Sequence, residues 1–224
     1  MSDVTVPRKL NAQQIYDELL SSDILSLTGY ITFHLGDTEV QINTTDTVGL
    51  ILQAWLKTWF INNDIYFHEP DNTQKFPDFF LNDVEPHKNM LEVKAFNCSK
   101  SPAFDIANFD SYCDSLKSNP SCLDANYLIF GYAMNDEGLI NIDQIWLKKI
   151  WEIAGKSSKY PLKTQVKKGV IYNIRPNSQF KKGKKTPFSN DHEFVLALYN
   201  TIKKYRSDTK AYKWLKKFTE NLIE

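Results

Sequence analysis

Asp78 lies in the run Lys75-Phe76-Pro77-Asp78-Phe79-Phe80-Leu81, and Glu92 and Lys94 lie in Met90-Leu91-Glu92-Val93-Lys94-Ala95-Phe96. Both runs are apolar and of strand length, yet each is interrupted by charge. A charge placed in such a run is costly unless it is paired or holds a metal ion. Two carboxylates and a lysine meeting at one point supply the parts for a metal-assisted cut in a nucleic-acid backbone. Carboxylate oxygens suit Mg²⁺ better than His or Cys would. A hard cation lowers the pKa of a water and polarises the phosphoryl oxygen, and an ammonium beside it can hold or help deprotonate that water. The backbone carbonyl of Val93, between the two functional side chains, is a further candidate ligand.

The geometry that would assemble these parts is a hairpin with its loop near residues 83–89. Asp78 then stands roughly opposite Lys94, with Glu92 as its diagonal neighbour. Residues two apart on a strand share a face, so Glu92 and Lys94 project together while Leu91, Val93 and Ala95 face the core. Diagonal neighbours lie roughly 7–8 Å apart, and two carboxylates leaning inward can share a cation at about 2.0–2.1 Å. Asp71 is a rival to Asp78, but Glu69-Pro70-Asp71-Asn72 is turn chemistry. Asp208-Thr209-Lys210 repeats the acidic-x-lysine spacing at a helix start, where it reads as a cap. The plainer alternative for Asp78, Glu92 and Lys94 is a cross-strand salt bridge on a solvent face, of the kind that contributes little.

Charge elsewhere points to a polyanion. The 27 basic and 27 acidic residues cancel, but residues 156–185 hold nine lysines and Arg175 with no Asp or Glu, which leaves the remainder with 17 basic residues against 27 acidic. A basic segment on an acidic body suggests local contact with nucleic acid; a solvated lysine-rich loop is the other reading. Lys181, Lys182, Lys184 and Lys185 flank Gly183 in a tip suited to phosphate contact, which positions without reading sequence. Arg175, Asn177 and Gln179 are the candidates for base edges, since Arg suits guanine and Asn or Gln suits adenine. Asn97, Ser99 and Lys100 follow the second charged strand directly and could lie along the backbone.

Other chemistries lack their signatures. Cys98, Cys113 and Cys122 show no C-x-x-C spacing, so neither a disulfide framework nor a zinc site is indicated. The four histidines have no ligand spacing, and no serine sits in a nucleophile elbow. At 42% hydrophobic and 24% charged, the composition is that of an ordinary globular protein. The polar start, with no signal-like stretch and no run long enough to cross a bilayer, points to a cytoplasmic protein without a membrane partner.

The elements that must position the charged strands are a helix over 10–20, a hairpin with strands at 30–35 and 39–42 turning at Gly36-Asp37, and a helix over 47–62. That last helix carries a wide apolar stripe of Val48, Ile51, Leu52, Trp55, Leu56 and Trp59. A short strand at 65–67 precedes the two charged strands. Beyond them the pattern predicts a helix at 104–116, strands at 127–134 and 139–142, a short helix at 145–153, a strand at 169–174 and helices at 191–205 and 209–222. With no repeat and no linker rich in Pro, Gly or Ser, this is one α/β domain over 1–224 around a mixed sheet. The catalytic core falls at about 47–135, and the basic region and terminal helices follow it.

Pro77-Asp78 followed by Glu92-Val93-Lys94 in an apolar strand resembles the PD-(D/E)xK nuclease superfamily, and the helix over 47–62 is similar to the one that precedes the core strands there. Glu92 to Ser101, in the order Glu-Val-Lys-Ala-Phe-Asn-Cys-Ser-Lys-Ser, resembles the Asp-x-Lys and downstream Ser-Lys segment of type II restriction endonucleases of the EcoRV and HincII branch. Length and the basic C-terminal half are similar to those of the NgoBV/NlaIV kind. The resemblance implies a restriction-endonuclease-like core, a mixed central β-sheet flanked by helices. It implies Mg²⁺-dependent cleavage of double-stranded DNA at a short palindromic site, leaving 5′-phosphate and 3′-hydroxyl ends. It assigns metal binding to Asp78 and Glu92, and orientation of the water to Lys94. Many members carry a glutamate on the preceding helix; here that helix has no acidic residue and offers Gln53, which disfavours a second tightly held metal. A homodimer would match a two-fold DNA site. Two rival readings remain: a structure-selective repair or recombination nuclease on the same fold, and a DNA-binding module with an accidental site.

Overall fold

The computed structural model describes residues 6–72, 75–85, 88–183 and 186–222. The chain divides into two units, Met1–Ser101 with Tyr127–Leu147, and Pro102–Asn126 with Lys148–Glu224.

The first unit begins with helix α1 (Ala12–Ser21), started by a capping box: the Gln14 N–H donates to the Asn11 side chain and the Asn11 N–H to the Gln14 side chain, both at 2.9 Å. Strand β1 (Thr28–Gly29) leads into the hairpin of β2 (Ile31–Leu35) and β3 (Thr38–Ile42). Its register runs from Ile31↔Ile42 to Leu35↔Thr38, which leaves Gly36-Asp37 as the two-residue turn, with Gly36 at φ 58°. Helix α2 (Val48–Asn62) carries apolar residues on more than one side; Val48, Leu56 and Phe60 are buried, whereas Leu50, Ile51 and Ile61 stay exposed. Leu56 and Phe60 are fully buried in it, and Trp55 and Trp59 pack against the same core.

Strands β4 (Phe79–Phe80) and β5 (Met90–Asn97) follow α2. The chain then enters the second unit through β6 (Ala107–Asn108) and α3 (Phe109–Ser118), and returns along β7 (Asn126–Met134) and β8 (Ile140–Lys149). The central sheet has the order β1-β8-β7-β5-β4. Leu91 and Val93 of β5, Leu128 and Phe130 of β7 and Phe79 of β4 join α2 in one hydrophobic core. The Phe60 ring sits 5.4 Å from that of Phe79 and 5.3 Å from that of Phe67. Phe60→Ala would leave a cavity under β4 and is expected to cost about 3–5 kcal/mol, read as a fall in the urea midpoint. A midpoint that stays put would show that this aromatic cluster does not hold the sheet to α2.

In the second unit, α4 (Ile150–Ile153) is followed by β9 (Thr164–Lys167) and β10 (Val170–Ile174), which join β6 in the order β6-β10-β9. Helices α5 (Asp191–Tyr205) and α6 (Asp208–Leu222) complete it. The Asn190 side chain caps α5 by accepting the Glu193 N–H at 2.9 Å. Trp214 of α6 donates its indole N–H to the Cys113 carbonyl of α3 at 2.8 Å, and Arg206 grips Asp110 with two contacts of 2.7 Å. Among the described residues no helix is long and apolar enough to cross a membrane.

Four expectations change. The charged run expected as a strand over Lys75 to Leu81 is strand only at Phe79–Phe80, so Asp78 lies just ahead of β4. Residues 65–67 form no strand: Ile65 only bridges Arg8, and His68 bridges Phe80. The predicted helix over 145–153 is strand as far as Lys149 and helical only from Ile150. Pairing in the sheet supplies backbone partners that a weak helical spacing cannot match. The helix predicted from 104 begins at Phe109, because Ala107 and Asn108 pair with β10 and the Asn108 side chain then caps the first turn through the Ser111 N–H at 3.0 Å.

Candidate active site

β4 and β5 pair antiparallel, with Phe79 opposite Leu91 and Phe80 opposite Met90. Continuing that register sets Asp78 across from Glu92, whereas the hairpin expected from the sequence sets it across from Lys94. The offset is two residues, and the physical reason is simple: alternation of apolar side chains has period two, so a two-residue shift leaves every side chain on its expected face. The loop decides instead, through the Leu81 N–H that donates to the Asn89 carbonyl at 2.8 Å. The outcome is that Asp78 and Glu92 are direct cross-strand neighbours.

Gln53, Asp78, Glu92 and Lys94 of the first unit are joined by hydrogen bonds, the link between Asp78 and Glu92 running through the Asp78 backbone N–H. Gln53 of α2 donates from Nε2 to Asp78 Oδ1 at 2.8 Å, and the Val93 N–H donates to Asp78 Oδ2 at 2.7 Å. The Asp78 N–H donates to Glu92 Oε2 at 3.1 Å, and Lys94 Nζ donates to Glu92 Oε1 at 2.7 Å. Glu92 is only 7% exposed. The Lys94 and Glu92 side chains are 20% and 10% exposed, so this pair is not a salt bridge on a solvent face.

Burial pushes the Asp78 carboxyl up to about 7, and the neighbouring Glu92 charge pushes the same way; Lys94, the Val93 N–H and Gln53 oppose them. The cluster therefore holds two acids and one ammonium, with burial and the like charge of Glu92 only partly offset at Asp78. Each carboxylate oxygen accepts one of the bonds above, and a carboxylate offers about four lone-pair sites, so acceptor capacity remains for a cation. A donor set made only of hard oxygens fits a divalent ion of the Mg²⁺ kind. Among the described residues no group of three His, Cys, Asp or Glu assembles, so further ligands would be water or the Val93 carbonyl.

A family model described as NgoBV restriction endonuclease matches residues 9–223 of the chain. The chain belongs to the NgoBV restriction endonuclease family. Its relatives include the type II restriction enzyme NlaIV of Neisseria lactamica, 43% identical over 218 residues, which cover 95% of this chain and 89% of that enzyme. The type II restriction enzyme NgoBV of Neisseria gonorrhoeae is 42% identical over 163 residues, covering 71% of this chain and 91% of that one. The solved NlaIV restriction endonuclease superposes with a TM-score of 0.88 at 42% identity, over 96% of this chain and 89% of its own. The expected mixed α/β fold of a restriction endonuclease is the fold found, and membership of this family makes the chain a site-specific endonuclease.

The remaining residues singled out in this restriction endonuclease fare differently. Asn97 accepts the Ser99 N–H at 2.9 Å and the Ser99 hydroxyl at 2.6 Å, closing a turn after β5 that carries Ser99 and Lys100 on the exposed surface. In the second unit, Arg175 is paired with Asp105. The Asn177 amide donates to the Ile153 and Ala154 carbonyls at 2.9 and 3.0 Å, and its oxygen accepts the Gln179 N–H at 2.7 Å. Arg175 and Asn177 are thus each engaged by partners within the protein. Gln179 and Lys182 are exposed and Lys181 is half-buried, all in one short 3₁₀ turn. Lys184 and Lys185 lie outside the described residues. One pair was missed: Lys57, four residues after Gln53 on α2, is bonded to Glu69 and ties the helix to the segment ahead of β4. The i,i+4 spacing from Gln53 was the available signal.

Proposed function

We propose that Asp78 and Glu92 hold Mg²⁺ and that Lys94 orients the attacking water, so that this enzyme hydrolyses phosphodiesters of double-stranded DNA at a short palindromic site. The observation that supports this most is the bonded chain Gln53–Asp78–Glu92–Lys94 at the junction of β4 and β5 in a member of this family. Bound there, the cation would neutralise charge at phosphorus and lower the pKa of the attacking water.

The protein's own part is orientation. Gln53 and the Val93 N–H each hold one oxygen of Asp78, so that carboxylate is set before DNA arrives. Glu92 holds the Lys94 ammonium, which keeps a proton donor at the place where a water or a phosphoryl oxygen must sit. The water oxygen bonds to phosphorus and gives up a proton to solvent, the bond from phosphorus to the 3′-oxygen breaks, that oxygen takes a proton from solvent, and the products are a 5′-phosphate and a 3′-hydroxyl. The two carboxylate donors fit a single metal per site. A homodimer would meet the two-fold symmetry of a palindrome, acting in the cytoplasm.

Digestion of mixed plasmid DNA with Mg²⁺ and with EDTA, followed by sequencing of the ends, tests this reading. Discrete fragments sharing one terminal sequence, made only with Mg²⁺, are expected. Random ends, or cutting of flaps and junctions alone, would reject it. For the basic tip, the double change Lys181→Glu with Lys182→Glu is expected to weaken binding to all duplexes alike and to flatten the salt dependence by about 0.9 for each phosphate no longer neutralised. A loss confined to one DNA sequence would contradict a phosphate-contact role.

A further inference from the structure

Near its end the chain holds a second concentration of positive charge. Residues 203–217 contain six lysines and Arg206 against one acid, Asp208. Within the second unit, Arg206, Lys210 and Lys213 line one side of a groove of about 470 Å³ between α3 and α6. The floor of the groove is apolar, made of the buried Phe109, Cys113, Ile202 and Trp214. Both of its carboxylates are already matched: Asp110 accepts two contacts of 2.7 Å from Arg206, and Asp114 accepts one of 2.8 Å from Lys117. The ammonium groups of Lys210 and Lys213 are exposed at the rim and make no hydrogen bond or ion pair with any described residue.

This arrangement does not stabilise the free chain. Lys210 lies in the first turn of α6, where the helix dipole opposes a cation. Lys213 and Lys217 follow it on the same face and form a like-charge i,i+4 pair, which is destabilising. We propose that this groove is a phosphate-binding surface, separate from the basic segment at 156–185, on which the backbone of the DNA substrate rests. From Lys210 to Lys217 the helix rises about 10 Å, at 1.5 Å per residue. One DNA strand presents a phosphate about every 3.4 Å along its axis, so the row matches about three of them. The Arg206–Asp110 contact fixes α5 against α3, so the groove is formed before a ligand arrives. Contacts of this kind position a duplex without reading its sequence. Only the identity of the polyanion rests on the reading of duplex DNA as the substrate.

Binding of a mixed-sequence duplex in EDTA, followed by fluorescence anisotropy across a range of salt, tests the surface. Lys210→Gln with Lys213→Gln is expected to weaken binding about tenfold and to flatten the slope of log affinity against log salt by about 1.8, at 0.9 for each of two phosphates. Lys9→Gln with Lys88→Gln removes the same charge from exposed ion pairs of the first unit and should change neither quantity. Without DNA the groove variant should melt no lower than wild type, whereas a purely structural role predicts a lower melting temperature. Should it melt lower, Lys210→Arg with Lys213→Arg must keep the wild-type affinity and slope, and failure to do so overturns the proposal. Occupancy is read at the Trp214 indole N–H, which donates to the Cys113 carbonyl at the groove floor. Its resonance should shift with duplex at micromolar concentration and with inorganic phosphate only at millimolar. A shift with inorganic phosphate and none with duplex would make this a small-anion site and overturn the DNA assignment. An unchanged salt slope in the groove variant, or an equal loss in the first-unit control, overturns the proposal as well. Because no metal is present, a groove that binds DNA in a protein that never cuts it would count against the Asp78–Glu92–Lys94 reading and still support this one.

Discussion

Lys94→Ala is expected to lower Mg²⁺-dependent cleavage by about 10²–10⁴-fold, the range for removing a positioned proton donor or a transition-state charge stabiliser. The ammonium sits 2.7 Å from Glu92 in a site where both side chains are mostly shielded from water, so its field on the reacting phosphate is only weakly screened. Asp78→Ala is expected to lose at least as much, because it removes one of two carboxylates and frees Gln53 and the Val93 N–H from their shared acceptor. DNA binding in EDTA should stay within a few-fold of wild type for both, since neither residue lies in the basic segment. Lys94→Ala leaves Glu92 buried without this partner, so Lys94→Gln, which retains a donor toward Glu92, serves as the folding control and should be comparably inactive. Either Lys94 variant cutting at more than a tenth of the wild-type rate, with the fold intact, would remove Lys94 from the chemistry.

The second large effect concerns stability without metal. Folded Asp78 holds its proton up to about 7, pushed there first by burial and then by the Glu92 charge, against an ordinary value of 3.8. Between those values the folded state binds the extra proton. The stability this group contributes is complete below 3.8 and is lost as pH rises through 7. In EDTA, melting temperature is therefore expected to fall between pH 5 and pH 8 more steeply for wild type than for Asp78→Asn. At pH 8 the Asn variant should be the more stable protein, by about 2–4 °C for each kcal/mol of repulsion relieved. Saturating Mg²⁺ should reverse the order, adding about 2.7 kcal/mol to wild type at a hundredfold excess over its dissociation constant and nothing comparable to the variant. Parallel melting curves for the two proteins across that pH range, with no Mg²⁺ dependence, would show that Asp78 and Glu92 are not a coupled cation-binding pair. A protein that improves when its central carboxylate is neutralised is carrying that carboxylate for a reason other than stability.

Much of this site is legible in the amino-acid sequence. Charged residues inside apolar runs are rare enough to demand a partner, and strand alternation alone puts Glu92 and Lys94 on one face, with Leu91 and Val93 in the core where they are found. Gln53, an uncharged polar residue inside the apolar helix α2, points to the same place. The two helices at the end of the chain are equally plain, because an amphipathic repeat is a local statement. What the sequence does not show is whatever depends on a distant partner. Arg175 is occupied by Asp105, 70 positions earlier, and Asn177 by the carbonyls that close α4. The tail of β8 has a helix's spacing and a neighbouring strand's hydrogen bonds.

The amino-acid sequence by itself determined the ingredients: two acids, a lysine and a glutamine on apolar elements, a segment dense in lysine, and a hairpin with one greasy face. Tertiary structure decided that Asp78 faces Glu92 and not Lys94, which partners Arg175 and Asn177 take, and that the hairpin's apolar side is left uncovered among the described residues. The physical reason is common to all three. Side-chain type and periodicity are local properties, whereas strand register, ion-pair choice and burial depend on backbone contacts between residues far apart in the chain, to which a pattern of period two or 3.6 is blind.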